Sequence, residues 1–247
     1  MSLSHLAPIP NLLNAKRVLC IQPHPDDMDI ACGGTLAVLA DRGAHITYLT
    51  VTDGGAGSPL RRDENELANV RKHEQLEAGR YIGVQEYIWL SYRDADYLPG
   101  QQLQHEFIRA IRQVRPDTVV TIDGWLPYEA HPAHRNVGLS AAAAVLFSAM
   151  GNIGNSHELQ PHGVQCIAFG FTARPNTFVD VTNTWQRKMA AIRAHESQFP
   201  DHTWPFFEHY FEAKAAQHGP AAGGEKGEAL KVFAPIHLHC NVDAENM

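Results

Sequence analysis

The chain has 247 residues, 44% of them apolar and 19% charged, with a formal net charge of -7. That balance excludes a disordered or fibrous polypeptide and gives no reason to expect a nucleic acid or an anionic membrane as main partner. The four cysteines, Cys20, Cys32, Cys166 and Cys240, are widely spaced and form no CxxC. Cys20 and Cys166 sit in apolar runs, so buried free thiols are expected. The opening MSLSHLAPIPNLLNAK lacks a basic stretch followed by a clean apolar one, and no run of eighteen apolar residues occurs. A cytoplasmic protein without stable membrane insertion is the expectation.

RVLCIQ, residues 17–22, reads as a first strand. It runs into the polar cluster PHPDDMD, and IACGGTLAVLADRG then reads as a helix ending near Gly43. HITYLTVTD is a second strand, opening into the glycine-rich loop GGAGSP. A helix is expected from about Asp63 to Ile82, a strand at QEYIWL, and a loop at SYRDADYLPG. A helix over 101–115 stops at Pro116. TVVTID is the next strand, followed by a loop with Trp125, Pro127, His131 and Pro132. An alanine-rich helix runs from about 134 to 149, VQCIAFGF and TFVDVT read as strands, and 184–197 as a helix. HGPAAGGEKGE, residues 218–228, reads as a linker or flexible segment, and KVFAPIHLHC as a last strand.

Strands alternating with helices predict an α/β fold, Rossmann-like, with three α/β/α layers and a mostly parallel sheet. One domain spanning 1–247 is expected.

The cluster after the first strand falls where open α/β sheets bind ligands. His24, Asp26 and Asp27 lie within four residues, and Pro25 biases His24 toward extended backbone. Imidazole and carboxylate are zinc donors. The competing reading makes Asp26 or Asp27 a helix N-cap, although one acid suffices for that. A dinucleotide site is a weak rival, because Gly33 and Gly34 follow the turn and no GxGxxG is present. His131 and His134 also follow a strand and precede a helix, and can share one side of a starting helical turn.

These paired motifs resemble the LmbE-like or PIG-L superfamily of zinc-dependent N-acetylglucosamine de-N-acetylases, over roughly residues 16–200. The resemblance implies His24, Asp27 and His134 as zinc ligands and Asp26 as general base. It implies His131 as the group that stabilises the oxyanion or protonates the leaving nitrogen. Arg71, in VRKHE, and Asp94, in SYRDADYL, match substrate contacts. TDGGAGS and KMAAIRAHESQ also look like the family's segments. Two departures stand out: Ala133 replaces the usual aspartate between the histidines, and Gly55 stands where glutamate is common.

Zinc with three protein ligands keeps an open position, lowers the pKa of a bound water and polarises the amide carbonyl. Asp26 takes the proton of that water. The expected activity is removal of an N-acetyl group from an amino sugar or N-acetylglucosamine conjugate, a small-molecule amide. The alternatives are deacylation of a non-sugar amide, or a catalytically weakened binding protein, which Ala133 alone suggests. Relatives are often multimeric, so a homo-oligomer is expected.

From the residues alone, Arg71 also reads as a helix charge paired with Glu74 or Glu66, and Asp94 as a turn residue. Trp125 and Tyr128 read as a wall against a sugar face or as core. His195 reads as structural or exposed, and Asp29 as a helix-start residue.

Overall fold

A computed structural model describes residues 6–96, 98–156 and 158–247. Residues 1–5 of the opening segment, and Tyr97 of the expected 91–100 loop, lie outside the described residues.

Among the described residues the chain forms seven strands: β1 Arg17–Gln22, β2 His45–Thr52, β3 Glu86–Tyr92, β4 Thr118–Ile122, β5 Cys166–Gly170, β6 Thr177–Asp180 and β7 Gly227–Phe233. Six helices accompany them: α1 Asp27–Asp41, α2 Glu64–Ile82, α3 Gly100–Val114, α4 Pro132–Phe147, α5 Trp185–Arg193 and α6 Trp204–Ala222. The sheet order is β3-β2-β1-β4-β5-β7-β6. β1 with β4, β4 with β5, and β2 with β3 are parallel, whereas β5 with β7 is antiparallel. This is the expected α/β fold with a mostly parallel sheet.

The chain divides into two compact units, one of residues 1–21, 97–177 and 230–247, the other of 22–96 and 178–229. In the first, β1, β4 and β5 are buried almost throughout, as their apolar runs require. Helix α3 buries Leu103, Phe107, Ala110, Ile111 and Val114, a stripe at helical spacing, and packs on α4. Burial of each large side chain contributes roughly 1.5–3 kcal/mol. Helix α4 lies close against the end of β4. A Cβ on Gly138 would stand 2.6 Å from both the Gly124 nitrogen and the Ile122 carbonyl, so the contact needs glycine. This contact fixes the helix one turn beyond His134.

In the second unit, Asp63 caps α2 by accepting the Asn65 and Glu66 N–H groups, and Gly83, at φ +96°, ends it. Helix α1 is broken at Cys32, at φ -153° and ψ 27°. The groups freed by the break are satisfied by two buried charges. Glu228 accepts the Gly34 and Thr35 N–H groups, and Lys188 Nζ donates to the Ile30 carbonyl and to Glu228.

The segment 218–228 is not a linker. His218–Ala222 finish α6, Gly223 terminates it at φ +80°, and β7 begins at Gly227. Its glycines serve packing: a Cβ on Gly219 or on Gly227 would stand 2.5 Å from the Glu225 or the His218 carbonyl, respectively. The last strand therefore starts four residues before Lys231 and ends at Phe233. Helix α6 had no counterpart in the sequence reading, and α5 stops at Arg193, short of the expected 197. All four cysteines are free; Cys20, Cys32 and Cys166 are buried and Cys240 is exposed.

Candidate active-site residues

The strand order reverses at β1 and β4, the topological position at which open α/β sheets bind ligands. These two strands pair in parallel, Val18 opposite Thr118. The PHPDD segment leaves β1, and the segment with His131 and His134 leaves β4.

In the second unit the chain after Gln22 is held on β2, where Thr52 donates its N–H and its hydroxyl to the Pro23 carbonyl. Gln22 accepts the Met28 N–H, pulling the start of α1 back toward the strand. Between these anchors the backbone turns sharply, and Asp26 takes φ +149° and ψ -26°. An L-residue there carries strain of about 1–3 kcal/mol, as active-site residues often do. Asp26 makes no side-chain cap bond. Asp27 Oδ2 accepts the His24 backbone N–H at 2.8 Å and lies 3.2 Å from His24 Nδ1. Neither acid is spent on capping the helix.

The spacing of His24 Nδ1 and Asp27 Oδ2 matches one edge of a tetrahedral zinc shell, where donors ~2.0–2.1 Å from the ion stand ~3.3 Å apart. Both residues are buried. On the other side of the ring, Asp94 Oδ1 stands 3.0 Å from His24 Nε2. Burial alone would lower the His24 pKa, but Asp27 and Asp94 outweigh it and push it up to about 10. The Asp94 N–H donates to Asp53 Oδ1, which also takes the Gly55 N–H, so one carboxylate braces both loops.

Arg71 is buried and faces inward. Its guanidinium lies 3.2 Å from Asp26 Oδ2 and donates to the Pro25 and Gly54 carbonyls. Gly54 and Gly57 leave it room, since a Cβ on either would stand 2.7 or 2.5 Å from Arg71 Nη1. Glu74, offered as its surface partner, instead accepts from the Ser197 N–H and hydroxyl. Burial raises the Asp26 pKa above the usual carboxylate range and Asp27 adds to this, while Arg71, His195 and His24 oppose it.

Asp29 and His195 are fully buried as a pair, with His195 Nε2 2.9 Å from Asp29 Oδ2 and the Tyr48 hydroxyl donating to Oδ1 at 2.8 Å. Asp29 thus takes part in a hydrogen-bonded pair rather than merely starting a helix. His195 carries no local sequence signal that marks it as a partner of residues 166 positions away.

In the first unit, Pro132 opens α4 at the first helical position and His131 precedes it. The His131 and His134 rings stack, with centroids 4.7 Å apart and planes inclined 22°. Glu129, which the sequence reading passed over, accepts the His131 backbone N–H and lies 3.1 Å from His134 Nδ1. Burial alone would raise the Glu129 pKa, but the His131 N–H and the His134 ring bring it below the usual value. Trp125 is largely exposed and stands edge-on to Phe169, at the rim of a cavity of about 850 Å3 that also meets Phe233 and Lys231. Tyr128 is fully exposed and packs into no core.

Residues 19–145 match the family described as PIG-L, GlcNAc-PI de-N-acetylase. A diacetylchitobiose deacetylase of Thermococcus kodakarensis is 36% identical over 230 residues, covering 92% of this chain and 86% of that protein. The chain belongs to the PIG-L family. A second PIG-L relative, 1D-myo-inositol 2-acetamido-2-deoxy-alpha-D-glucopyranoside deacetylase 1 of Catenulispora acidiphila, is 33% identical over 146 residues, 49% of this chain and 45% of that one. The solved structure of N,N'-diacetylchitobiose deacetylase from Pyrococcus horikoshii, complexed with its inhibitor, superposes with a TM-score of 0.88 at 37% identity, covering 93% of this chain and 88% of that one. These relatives are deacetylases, hydrolytic enzymes acting on N-acetyl amides.

Within this PIG-L chain both departures have a structural setting. A Cβ on Gly55 would stand 2.6 Å from the Glu64 carbonyl, so the loop here is too tight for the more usual glutamate. Ala133 is buried in the first turn of α4, and Glu129 supplies the carboxylate beside the histidines.

Proposed function

We propose that this chain is a zinc-dependent hydrolase that removes an N-acetyl group from an amino sugar or N-acetylglucosamine conjugate. The observation that carries the reading is the His24 Nδ1 to Asp27 Oδ2 spacing of 3.2 Å, beside an Asp26 carboxylate that Arg71 holds in place. The 36% identity to a diacetylchitobiose deacetylase, over 92% of the chain, supports the sugar class.

His24, Asp27 and His134 would hold the metal, a donor set of two imidazoles and one carboxylate that suits zinc. When bound, zinc supplies Lewis acidity toward the amide carbonyl and toward a water. Asp26 accepts a proton from the attacking water, as general base. Arg71 keeps the Asp26 carboxylate facing one way and compensates part of its burial cost. His131, exposed beside His134, stabilises the oxyanion or passes a proton to the departing amine. Arg71 and Asp94 serve as substrate contacts in this reading, with Arg71 also bracing the turn.

The proposal takes residues 1–247 as one catalytic domain. It places the protein in the cytoplasm, in keeping with four free cysteines. No helix among the described residues is long and apolar enough to cross a membrane. A homo-oligomer completes the proposal, and light scattering on the purified protein checks it.

The deciding experiment measures free amine released from N-acetylglucosamine, N,N'-diacetylchitobiose and N-acetylated amino acids, with and without zinc after chelation. Zinc-restored release from the sugars is expected. Release from the amino acids alone would overturn the sugar assignment, and release unaffected by chelation would overturn the metal.

A further inference from the structure

Glu129 closes the loop that carries both histidines of the β4–α4 connection. The loop is built to deliver it. Asp123 accepts the Trp125 N–H, the Leu126 N–H bonds back to the Asp123 carbonyl, and the Glu129 N–H reaches the Leu126 carbonyl. Tyr128 takes a left-handed φ of +67°, which reverses the chain just before Glu129. The Glu129 carboxylate then divides its oxygens. Oε1 accepts the His131 backbone N–H at 2.7 Å, and Oε2 lies 3.1 Å from His134 Nδ1.

A neutral imidazole carries one proton shared between two possible nitrogens, and the hydrogen bond of one nitrogen decides the role of the other. A carboxylate is acceptor-only when ionised, so the nitrogen facing it carries the proton. The other nitrogen, Nε2, then presents its lone pair. The His131 ring stacked at 4.7 Å restrains rotation of the His134 ring. Ala133, a methyl side chain, offers no polar atom for this task.

We infer that Glu129 is a positioning residue, which fixes His134 as its Nδ1–H tautomer and so makes Nε2 the nitrogen that ligates a metal. The inference rests on the reading of His134 as a ligand. It assigns to a loop residue five positions upstream the outer carboxylate that orients a ligating histidine and strengthens its donor nitrogen.

The test compares wild type, Glu129→Ala and Glu129→Gln by zinc affinity, from chelator competition, and by 15N imidazole shifts of His134 in the metal-free protein. His134→Gln assigns the signals. Glu129→Ala should weaken zinc binding ~10–100-fold and shift His134 away from the Nδ1–H tautomer. Glu129→Gln retains an accepting oxygen and the loop bond to His131, so the tautomer should persist while affinity falls by only a few-fold. It also serves if the alanine variant fails to fold. Unchanged affinity and unchanged shifts in both variants, with wild type binding zinc, would overturn this inference alone. A wild-type protein that takes up no zinc would overturn the metal reading of His134.

Discussion

Arg71 lies 3.2 Å from Asp26 Oδ2 and from the same nitrogen donates to the Pro25 carbonyl, tying α2 to the turn that opens α1. An arginine expected to touch substrate is thus also a strut under the proposed general base. Arg71→Ala removes the guanidinium that pairs with buried Asp26, and breaking a buried pair costs ~3–5 kcal/mol. A fall of that order in urea unfolding stability, with deacetylation lost, is expected. A variant as stable as wild type that shows only a raised KM would leave Arg71 as a substrate contact alone.

Asp94 stands at a similar crossroads, because its carboxylate faces His24 Nε2 at 3.0 Å. Asp94→Asn keeps the shape and removes the charge. If Asp94 braces the His24 ring, zinc affinity drops ~10-fold or more, as for other outer carboxylates. If it contacts only sugar, chelator competition shows no change and KM rises. We expect a loss of zinc affinity.

The buried Lys188–Glu228 pair mends the break in α1 at Cys32. Lys188→Met strands Glu228 and frees the Ile30 carbonyl, with an expected loss of ~3–5 kcal/mol. The double variant Lys188→Met/Glu228→Gln should recover part of that loss, because no unpaired charge remains. A double-mutant cycle read by urea unfolding tests the coupling, and additive losses would contradict it.

The pH dependence of stability should carry a mark of His195. Burial alone would lower its pKa, but the hydrogen bond and charge of Asp29 outweigh this and raise it. A folded-state pKa above the unfolded value means that the protonated ring stabilises the fold. That contribution is complete below the ordinary histidine pKa of ~6.5 and is lost as pH rises through the raised folded value. The stability difference between wild type and His195→Gln should therefore shrink as pH rises from 6 toward alkaline values. A difference that grows with pH would contradict the assignment.

The strands that set the sheet were legible because β1, β4 and β5 are short apolar runs bounded by polar turns. The PHPDD and histidine segments were legible because their chemistry is local. Helix α6 was not. Pro205 at its start and Pro220 in its last turn read as breakers, and its aromatic residues follow no single buried stripe, with Phe206 and Tyr210 exposed. The glycines of 218–228 read as flexibility because the carbonyls they pack against lie on the facing turn. Glu129 escaped because it lies outside the motif and reaches His134 only through the left-handed turn at Tyr128. The Asp29–His195 pair joins residues 166 positions apart, and no spacing rule reaches that far.

The backbone at Asp26 bears on how this protein could be improved. At its φ of +149° and ψ of -26° glycine, which has no Cβ, would sit with less strain than aspartate, but it would leave the buried Arg71 guanidinium without its carboxylate. The strain of about 1–3 kcal/mol that glycine would relieve is smaller than the ~3–5 kcal/mol of a broken buried pair, so selection for heat resistance alone should keep aspartate at this position. Thermostabilising efforts on this chain do better to leave residue 26 out of the randomised set.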